Sequence, residues 1–437
     1  MRILILSNYP WKNNNSFGNT YSSIFKNVPN IEIAHVYMFD GVPDQMPNVT
    51  CYYQILERDV IKSVFKRSVS VGKQVFIEHS GQEDSSNKQN EKKQDKRYGS
   101  LLSFGKRHHW RIMFWARELA WKFGRINYNG LMDFVEDFKP DIFFLPFSNV
   151  FYTNRLALYI KRHYDMPMVM EMAMDHYTLN RVSWNPLFWL ERFAKRRMIR
   201  KVASQSEMLF AISKKLKEEL EPALHIPCRV LYKTPDINRA VEPYCGCQDT
   251  VRFLFTGNIY SNRWKSLALL ANELKRQQFG HLDVYTASPI TSSIDKALNI
   301  EGFSELHPPV SQAEVIELQN KADVLVHTEA FDKYNKSLVR CAISTKIMDY
   351  ISVGRCILAI GPSDISSIEY LADNKIALLA NSKEELNQIV SLIKNDTSVL
   401  TEYSKRGLDY SREYLNATKM SKELYDDLQK VIDNFNK

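Results

Sequence analysis

The chain has 437 residues, too many for one ordinary core, so two domains are expected. Its 44% hydrophobic and 25% charged residues are ordinary for a globular protein, and no run approaches the ~18 apolar residues a membrane span needs. A formal charge of +8 leaves nucleic acid, an anionic substrate and an anionic membrane surface as partner classes, and no nucleic-acid motif supports the first.

The opening Met1-Arg2-Ile3-Leu4-Ile5-Leu6-Ser7 is too short in its apolar part for a secretory signal and has no small-residue cleavage site. It reads as a first buried strand of a cytoplasmic protein. The cysteines (Cys51, Cys228, Cys245, Cys247, Cys341, Cys356) are scattered, and none stand at zinc spacing, so free thiols in a reducing compartment are expected.

Apolar strand-like runs alternate with helical stretches, the pattern of parallel α/β sheets. Strands are predicted at 2–7, 31–37, 141–146, 166–172, 208–213 and 229–232, then at 251–256, 282–286, 322–328, 356–360 and 376–379. Each set suffices for its own doubly wound sheet, giving domains at 1–235 and 250–410. The stretch from 234 to 249 holds two prolines, a glycine and no periodicity, and the linker is placed at 236–249. Within the first domain, residues 81–97 contain no apolar side chain, so a mobile surface insert is expected at about 80–97. From about 381 the pattern is helical, and a terminal helix at 411–437 is long enough to cross back to the first domain.

The predicted strand 251–256 runs into Gly257-Asn258, and a helix opens near Arg263-Trp264-Lys265. A glycine after a strand admits a ligand to the backbone, and the helix N-terminus favours an anion. Arg263 offers a fork of donors and Lys265 a point charge for a diphosphate; a solvated basic turn is the alternative. Roughly ninety residues later a helix starts at Ser344-Thr345, carries Lys346 and Asp349 three residues apart on one face, and stops at Gly354. A cation beside a carboxylate suits a ligand bearing both a phosphate and a sugar diol. An exposed helix pair is the plain alternative for these two residues alone.

The order and spacing of these motifs resemble the donor domain of GT-B glycosyltransferases, in the large retaining family four that builds bacterial surface polysaccharides. The likeness covers roughly 251–379 well and the first half loosely. It implies an α/β GT-B fold: two Rossmann-like domains facing across a cleft, with acceptor binding in the first and nucleotide-sugar binding in the second. It also implies that Gly257, Asn258, Arg263, Lys265, Ser344, Thr345 and Lys346 hold the donor, and that Asp349, five before Gly354, bonds the ribose. The family's second glutamate, eight positions earlier, is Cys341 here, a gap common in the capsular-polysaccharide branch that Ser344–Tyr350 resembles.

In the first half, Gly18 and Asn19 lie where the family has a flexible glycine loop beside the acceptor; an ordinary polar turn is the other reading. Asp175 and His176 follow the predicted strand 166–172, where related enzymes place an Asp or His against the transferred sugar. Together with Lys346 they are the candidate catalytic residues, although a histidine that merely caps its loop fits equally. A retaining enzyme needs no protein base when the leaving phosphate takes the acceptor proton. The chain has no Asp-x-Asp motif, so no metal and no cofactor beyond the nucleotide-sugar substrate are expected.

Much of the excess charge lies in two stretches with interleaved aromatics. Residues 106–125 carry Lys106, Arg107, Arg111, Arg117, Lys122 and Arg125 with Trp110, Phe114, Trp115, Trp121 and Phe123. Residues 188–201 carry Arg192, Lys195, Arg196, Arg197, Arg200 and Lys201 behind Phe188 and Trp189. Basic amphipathic helices of this kind suit an anionic membrane surface and a lipid-linked glycan acceptor; the other reading packs the aromatics into the first core. The sequence and this resemblance thus predict a metal-independent, retaining transferase at the inner face of the plasma membrane, with a nucleotide-sugar epimerase or hydrolase, or a non-catalytic binder, as alternatives.

Overall fold

The structure, a computed structural model, describes residues 1–12, 15–76, 111–178, 181–234, 244–246 and 250–437. The expected insert at 80–97, residues 106–110 of the first basic stretch, Cys247 and most of the linker at 236–249 lie outside the described residues.

The first sheet comprises β1 (Arg2–Ser7), β2 (Glu32–Tyr37), β3 (Val49–Gln54), β4 (Lys73–Val75), β5 (Ile142–Pro146), β6 (Met168–Met172), β7 (Met208–Ala211) and β8 (Cys228–Val230). Their order is β4-β3-β2-β1-β5-β6-β7-β8. Only the β3–β4 pair is antiparallel. The second sheet comprises β9 (Arg252–Thr256), β10 (His281–Tyr285), β11 (Ser304–His307), β12 (Val324–Thr328), β13 (Cys356–Ile360) and β14 (Leu378–Ala380), ordered β11-β10-β9-β12-β13-β14 and parallel throughout. Strands such as IFFLP, MVMEM, VLVHT and CILAI sit between helical layers on both faces, which is why they read as continuous apolar runs.

β3, β4 and β11 were not expected from the sequence. β3 begins Val-Thr-Cys at the periphery, β4 has three residues, and Ser-Glu-Leu-His of β11 is half polar, so none carries the buried-strand signature.

Strand order reverses between β1 and β5 in one sheet, and between β9 and β12 in the other. In open parallel sheets these reversals part the connecting loops and leave a crevice at the strands' carboxyl ends. The two domains are joined by packed apolar side chains as well as by the chain: one cluster runs from the first sheet through Ile212 and Leu216 to Ile343, Ile347 and Ile365. Polar ties cross the same boundary. Ser213 Oγ donates to the Cys341 carbonyl at 2.7 Å, Lys215 Nζ meets Glu369 at 2.6 Å, and Arg340 forks onto Glu219 at 2.5 Å.

The tail is three helices, Lys383–Asn395, Ser398–Tyr414 and Ala417–Phe435. Asn416 starts the last by accepting from the Lys419 amide, as N-cap residues do. That helix returns to the first domain, where Leu424, Leu428 and Val431 pack among Ile3, Ile5, Phe144 and Phe210. Deleting a fully buried leucine side chain costs about 2–5 kcal/mol. Leu428→Ala should therefore lower the unfolding free energy of the first domain by an amount in that range, and with it the midpoint of a urea titration read by tryptophan fluorescence. A surface change in the same helix, Lys430→Ala, should leave the midpoint nearly unmoved.

Candidate functional site

The site begins where β9 ends. Gly257 has φ +127°, a conformation that side-chain-bearing residues rarely adopt, and its amide donates to the Tyr285 carbonyl. A Cβ built on Gly257 would lie 1.7 Å from Lys346 Nζ. The missing side chain is thus the space the lysine occupies. Lys346 Nζ donates to the Thr256 carbonyl at 2.5 Å and lies 5.0 Å from the Phe255 ring centre. Residues ninety positions apart in sequence meet here because the Thr345–Val353 helix precedes β13, while β9 and β12 flank the switch point.

That helix starts without a side-chain cap: the Ser344 amide donates to Ser367 Oγ at 3.1 Å and its carbonyl accepts from the Ile347 amide at 3.0 Å. It ends at Gly354 in the left-handed conformation. The partial positive charge of this helix start lies within one turn of Lys346. Burial and the nearby Arg263 lower the Lys346 pKa to about 8, against the opposing pull of Glu329 and Asp349. The ammonium therefore sits where a further negative charge would be welcome.

Arg263, read from the sequence as a diphosphate ligand, is held by Glu329 through two bonds, Nε–Oε2 at 3.0 Å and Nη2–Oε1 at 2.9 Å. Its side chain stays about a quarter exposed (27%) beside a nearly buried carboxylate. Burial pushes the Glu329 carboxyl up, and Arg263 and Lys346 pull it back toward ionisation. His327, two residues earlier on β12, is lowered to about 3 by burial and the same two cations, so it is neutral. Lys265 and Asn258 are exposed at the rim; Lys265 Nζ lies 5.7 Å from the Trp264 ring. Asn262 bonds Asp332 at 3.0 Å and fixes the loop before the helix.

Asp349 projects from the same helix face as Lys346, but both its oxygens accept from Lys233 Nζ, each at 2.8 Å. Lys233 is buried just beyond β8. Lys233 and Glu329 are the residues that sequence reading missed. Glu329 had a signal, an acid directly after a strand bordering the switch point; Lys233, at the mouth of the linker, had none. Cys341 stands away from this cluster: it is buried between the domains, its thiol is pushed up to about 12 by burial, and its carbonyl is taken by Ser213.

In the first domain, Gly18 and Asn19 lie in the first turn of the Ser16–Phe25 helix and not in a loop. Asn15 caps this helix by accepting from the Gly18 amide at 2.7 Å, and Gly18 packs directly on the Lys12 backbone. The helix is fixed from behind by Tyr21, whose hydroxyl donates to buried Glu171 at 2.6 Å. A local cap and a tight contact thus replace the flexible turn read from the sequence.

Asp175 organises its own turn, accepting from the Tyr177 and Thr178 amides and the Thr178 hydroxyl, and lies 3.6 Å from Arg340 Nη2. His176 is lowered to about 4, mainly by burial and then by Lys195, with Arg192 adding to it and Asp175 opposing. It is neutral at pH 7 and has no proton to give as an acid. The pair is therefore not poised as mutual acid and base. Both residues line an enclosed interdomain cavity of about 210 Å³ with Arg181, Arg192, Lys195 and, from the second domain, Ser337.

Two groups of metal-capable side chains occur among the described residues. In Asp175–Glu219–Cys341 the centre is served by Arg340, paired with both acids. His281–Asp283–Glu305 lies on the outer strands β10 and β11, away from Lys346. Neither draws on the residues around Gly257.

The described part of the first basic stretch divides its aromatics: Phe123 is exposed, while Phe114 and Trp115 pack on Phe151. Trp121 is buried against Tyr152 with ring centres 3.9 Å apart, and Arg117 bonds Glu57 and Tyr152. In the second stretch Phe188 is buried, Lys195 pairs with Glu191 and Arg200 bonds Tyr177, while Leu190 and Phe193 remain exposed. Among the described residues no helix is long and apolar enough to cross a membrane.

No protein-family model matches the chain, and no curated protein sequence does. Solved structures match over nearly its whole length. Sucrose-phosphate synthase from Thermosynechococcus elongatus is similar at 7% identity and TM-score 0.64, covering 99% of each chain. Alr3699/HepE from Anabaena, solved with UDP-glucose, is similar at 11% identity and TM-score 0.61, covering 98% of this chain and 100% of its own. WaaG, a glycosyltransferase involved in lipopolysaccharide biosynthesis, is similar at 10% identity and TM-score 0.54, covering 97% and 98%. The two doubly wound parallel sheets and this full-length likeness establish the GT-B fold.

Proposed function

We propose that this chain is a glycosyltransferase that moves a sugar from a nucleotide-sugar donor, held by the second domain, to an acceptor bound against the first. The observation that carries the reading is the seat of Lys346 against Gly257, at the switch point of the second sheet and beside an uncapped helix start. A diphosphate placed there would meet an ammonium, helix amides and the exposed side of Arg263. The likeness to a protein solved with UDP-glucose supports a nucleotide-sugar as the occupant.

On this reading each residue has a physical task. Lys346 and the Thr345 amide, with the Ser344 hydroxyl beside them, stabilise the charge that develops on the leaving diphosphate, so metal-independent transfer is proposed. Glu329 holds Arg263 in its fork geometry. Asp349, with lone pairs to spare beyond its Lys233 bonds, accepts from the ribose hydroxyls. Asn258 and Lys265 form the outer rim. A retaining route, in which the leaving phosphate takes the acceptor proton, is compatible with a neutral His176 and an Asp175 already engaged in its turn. The biological setting proposed is bacterial surface polysaccharide synthesis on a lipid-linked glycan, at the inner face of the plasma membrane; the likeness to WaaG, a glycosyltransferase involved in lipopolysaccharide biosynthesis, supports the polysaccharide part.

Titration calorimetry with UDP tests the donor site, preceded by a thermal-shift comparison of nucleoside diphosphates to settle the base. A charge-assisted bond is worth about 1.5–3 kcal/mol, so Lys346→Ala should weaken binding roughly 10- to 100-fold. Gly257→Ala should weaken it similarly by displacing the ammonium. Equal affinity in wild type and both variants would refute the assignment. Rapid epimerisation or hydrolysis of donor without acceptor would replace transfer with that other chemistry.

The same site predicts a pH dependence. With its folded pKa at about 8, Lys346 loses its proton as pH rises through that value, and a bound diphosphate requires the charged form. UDP affinity should be greatest around pH 7 and fall as pH rises through 8, levelling off roughly 10- to 100-fold lower once the lysine is neutral. In Lys346→Ala this limb should vanish, leaving a weak and flat profile.

A further inference from the structure

We propose that the interdomain cavity beside His176 is an anion subsite, and that the acceptor presents a phosphate or carboxylate group to Arg181 and Arg192. This rests on the transferase reading and names the class of acceptor it uses.

The cavity, about 210 Å³, opens between the end of β6 and the Pro186–Ala203 helix on one side and the Lys333–Val339 helix on the other. The latter helix lies in the chain between Glu329 and the start of the Lys346 helix, which ties the cavity wall to the proposed donor site. Its acids are already engaged: Asp175 in its turn and with Arg340, Glu191 with Lys195 at 2.5 Å. Its arginines are not matched in this way. Arg192 Nε is buried and finds no hydrogen-bond partner among the described residues. Burial disfavours the Arg192 charge, as do the neighbouring Arg181 and Arg196, against the opposing pull of Asp175 and Glu191, two acids already engaged elsewhere. Arg181 is held over the Tyr334 ring of the second domain at 4.5 Å, its position fixed from across the cleft.

A buried donor without a partner costs about 1–3 kcal/mol, and more when charged. Such a group persists where a ligand supplies the partner, and a planar guanidinium fork matches phosphate and carboxylate oxygens. Neutral His176 adds no charge of its own but can share a hydrogen bond with a bound oxyanion or an acceptor hydroxyl. The apolar side chains of Met174 and Phe188 complete the lining, room for the carbon skeleton that carries the anion.

The test uses the full-length protein saturated with UDP, so that the donor site is filled, and titrates inorganic phosphate and glucuronate separately by calorimetry. Binding of one probe at millimolar concentration is expected, and the tighter probe tells a phosphorylated acceptor from a uronic-acid glycan. Arg192→Gln and Arg181→Gln should each weaken that probe by at least tenfold, while UDP affinity stays within about twofold. If Arg192→Gln does not fold by circular dichroism, Arg192→Lys, which keeps the charge and loses the fork, should show an intermediate loss. Failure of both probes to bind, or binding unchanged by all three substitutions, overturns the subsite. So does phosphate binding that Lys346→Ala abolishes and Arg192→Gln does not, because the anion would then occupy the donor site. Should UDP itself fail to bind, the donor reading falls alone, and the probe titrations, run without UDP, still decide the cavity.

Discussion

The contact on which the second domain depends is one ammonium group held against the carbonyl that ends its central strand. Lys346 reaches Thr256 only because Gly257 has no side chain and accepts a backbone angle that other residues avoid. Around this contact the charges are balanced but not cancelled: Glu329 is committed to Arg263, and Asp349 to Lys233. Partial burial strengthens every interaction in the crevice, so the same arrangement that lowers the lysine pKa raises the gain from an arriving anion. An amine on a flexible surface turn would make a much weaker site at the same net charge.

The second constraint is that the domains are not independent. Asp349 belongs to the second sheet's helical layer, yet its partner Lys233 leaves the last strand of the first sheet. Ser213, Lys215 and Glu219 reach across from the first domain to Cys341, Glu369 and Arg340. The terminal helix closes the loop by returning the end of the chain to the core around β1. A cleft between domains braced at three places holds two half-sites at a fixed spacing, which is the main requirement when catalysis is by orientation.

Much of this was legible before any coordinates. Strands with fully apolar runs, such as 142–146 and 356–360, declare themselves because both faces are buried, and their alternation with helices dictates two parallel sheets. The convergence of Gly257 with Lys346 was also readable, since both stand at carboxyl ends next to a strand-order reversal. Partnership was harder to read. Arg263 looked like a free diphosphate ligand because Glu329 is 66 residues away, and Asp349 looked unpaired because Lys233 is 116 residues away. Sequence patterns report periodicity and local chemistry, whereas ion pairs across a sheet or between domains are products of topology. Gly18 shows the converse error, a glycine taken for loop freedom that in fact permits close packing at a helix start.

The two charged regions of the cleft differ in a way that bears on chemistry. At the Lys346 end a lysine with its pKa lowered to about 8 adjusts its protonation to the charge it meets. At the His176 end Arg181 and Arg192 carry permanent charge and Lys195 is paired with Glu191, all beside a histidine that stays neutral. A reaction that moved a proton through the protein at this end would need a group titrating near pH 7, and His176 at about 4 is far below it. Fixed charge without a proton carrier is the equipment of a binding surface. On the proposed transfer, the barrier is then lowered by holding acceptor and donor in register and by stabilising the departing diphosphate, and the acceptor's proton leaves with the phosphate oxygen that displaces no protein group.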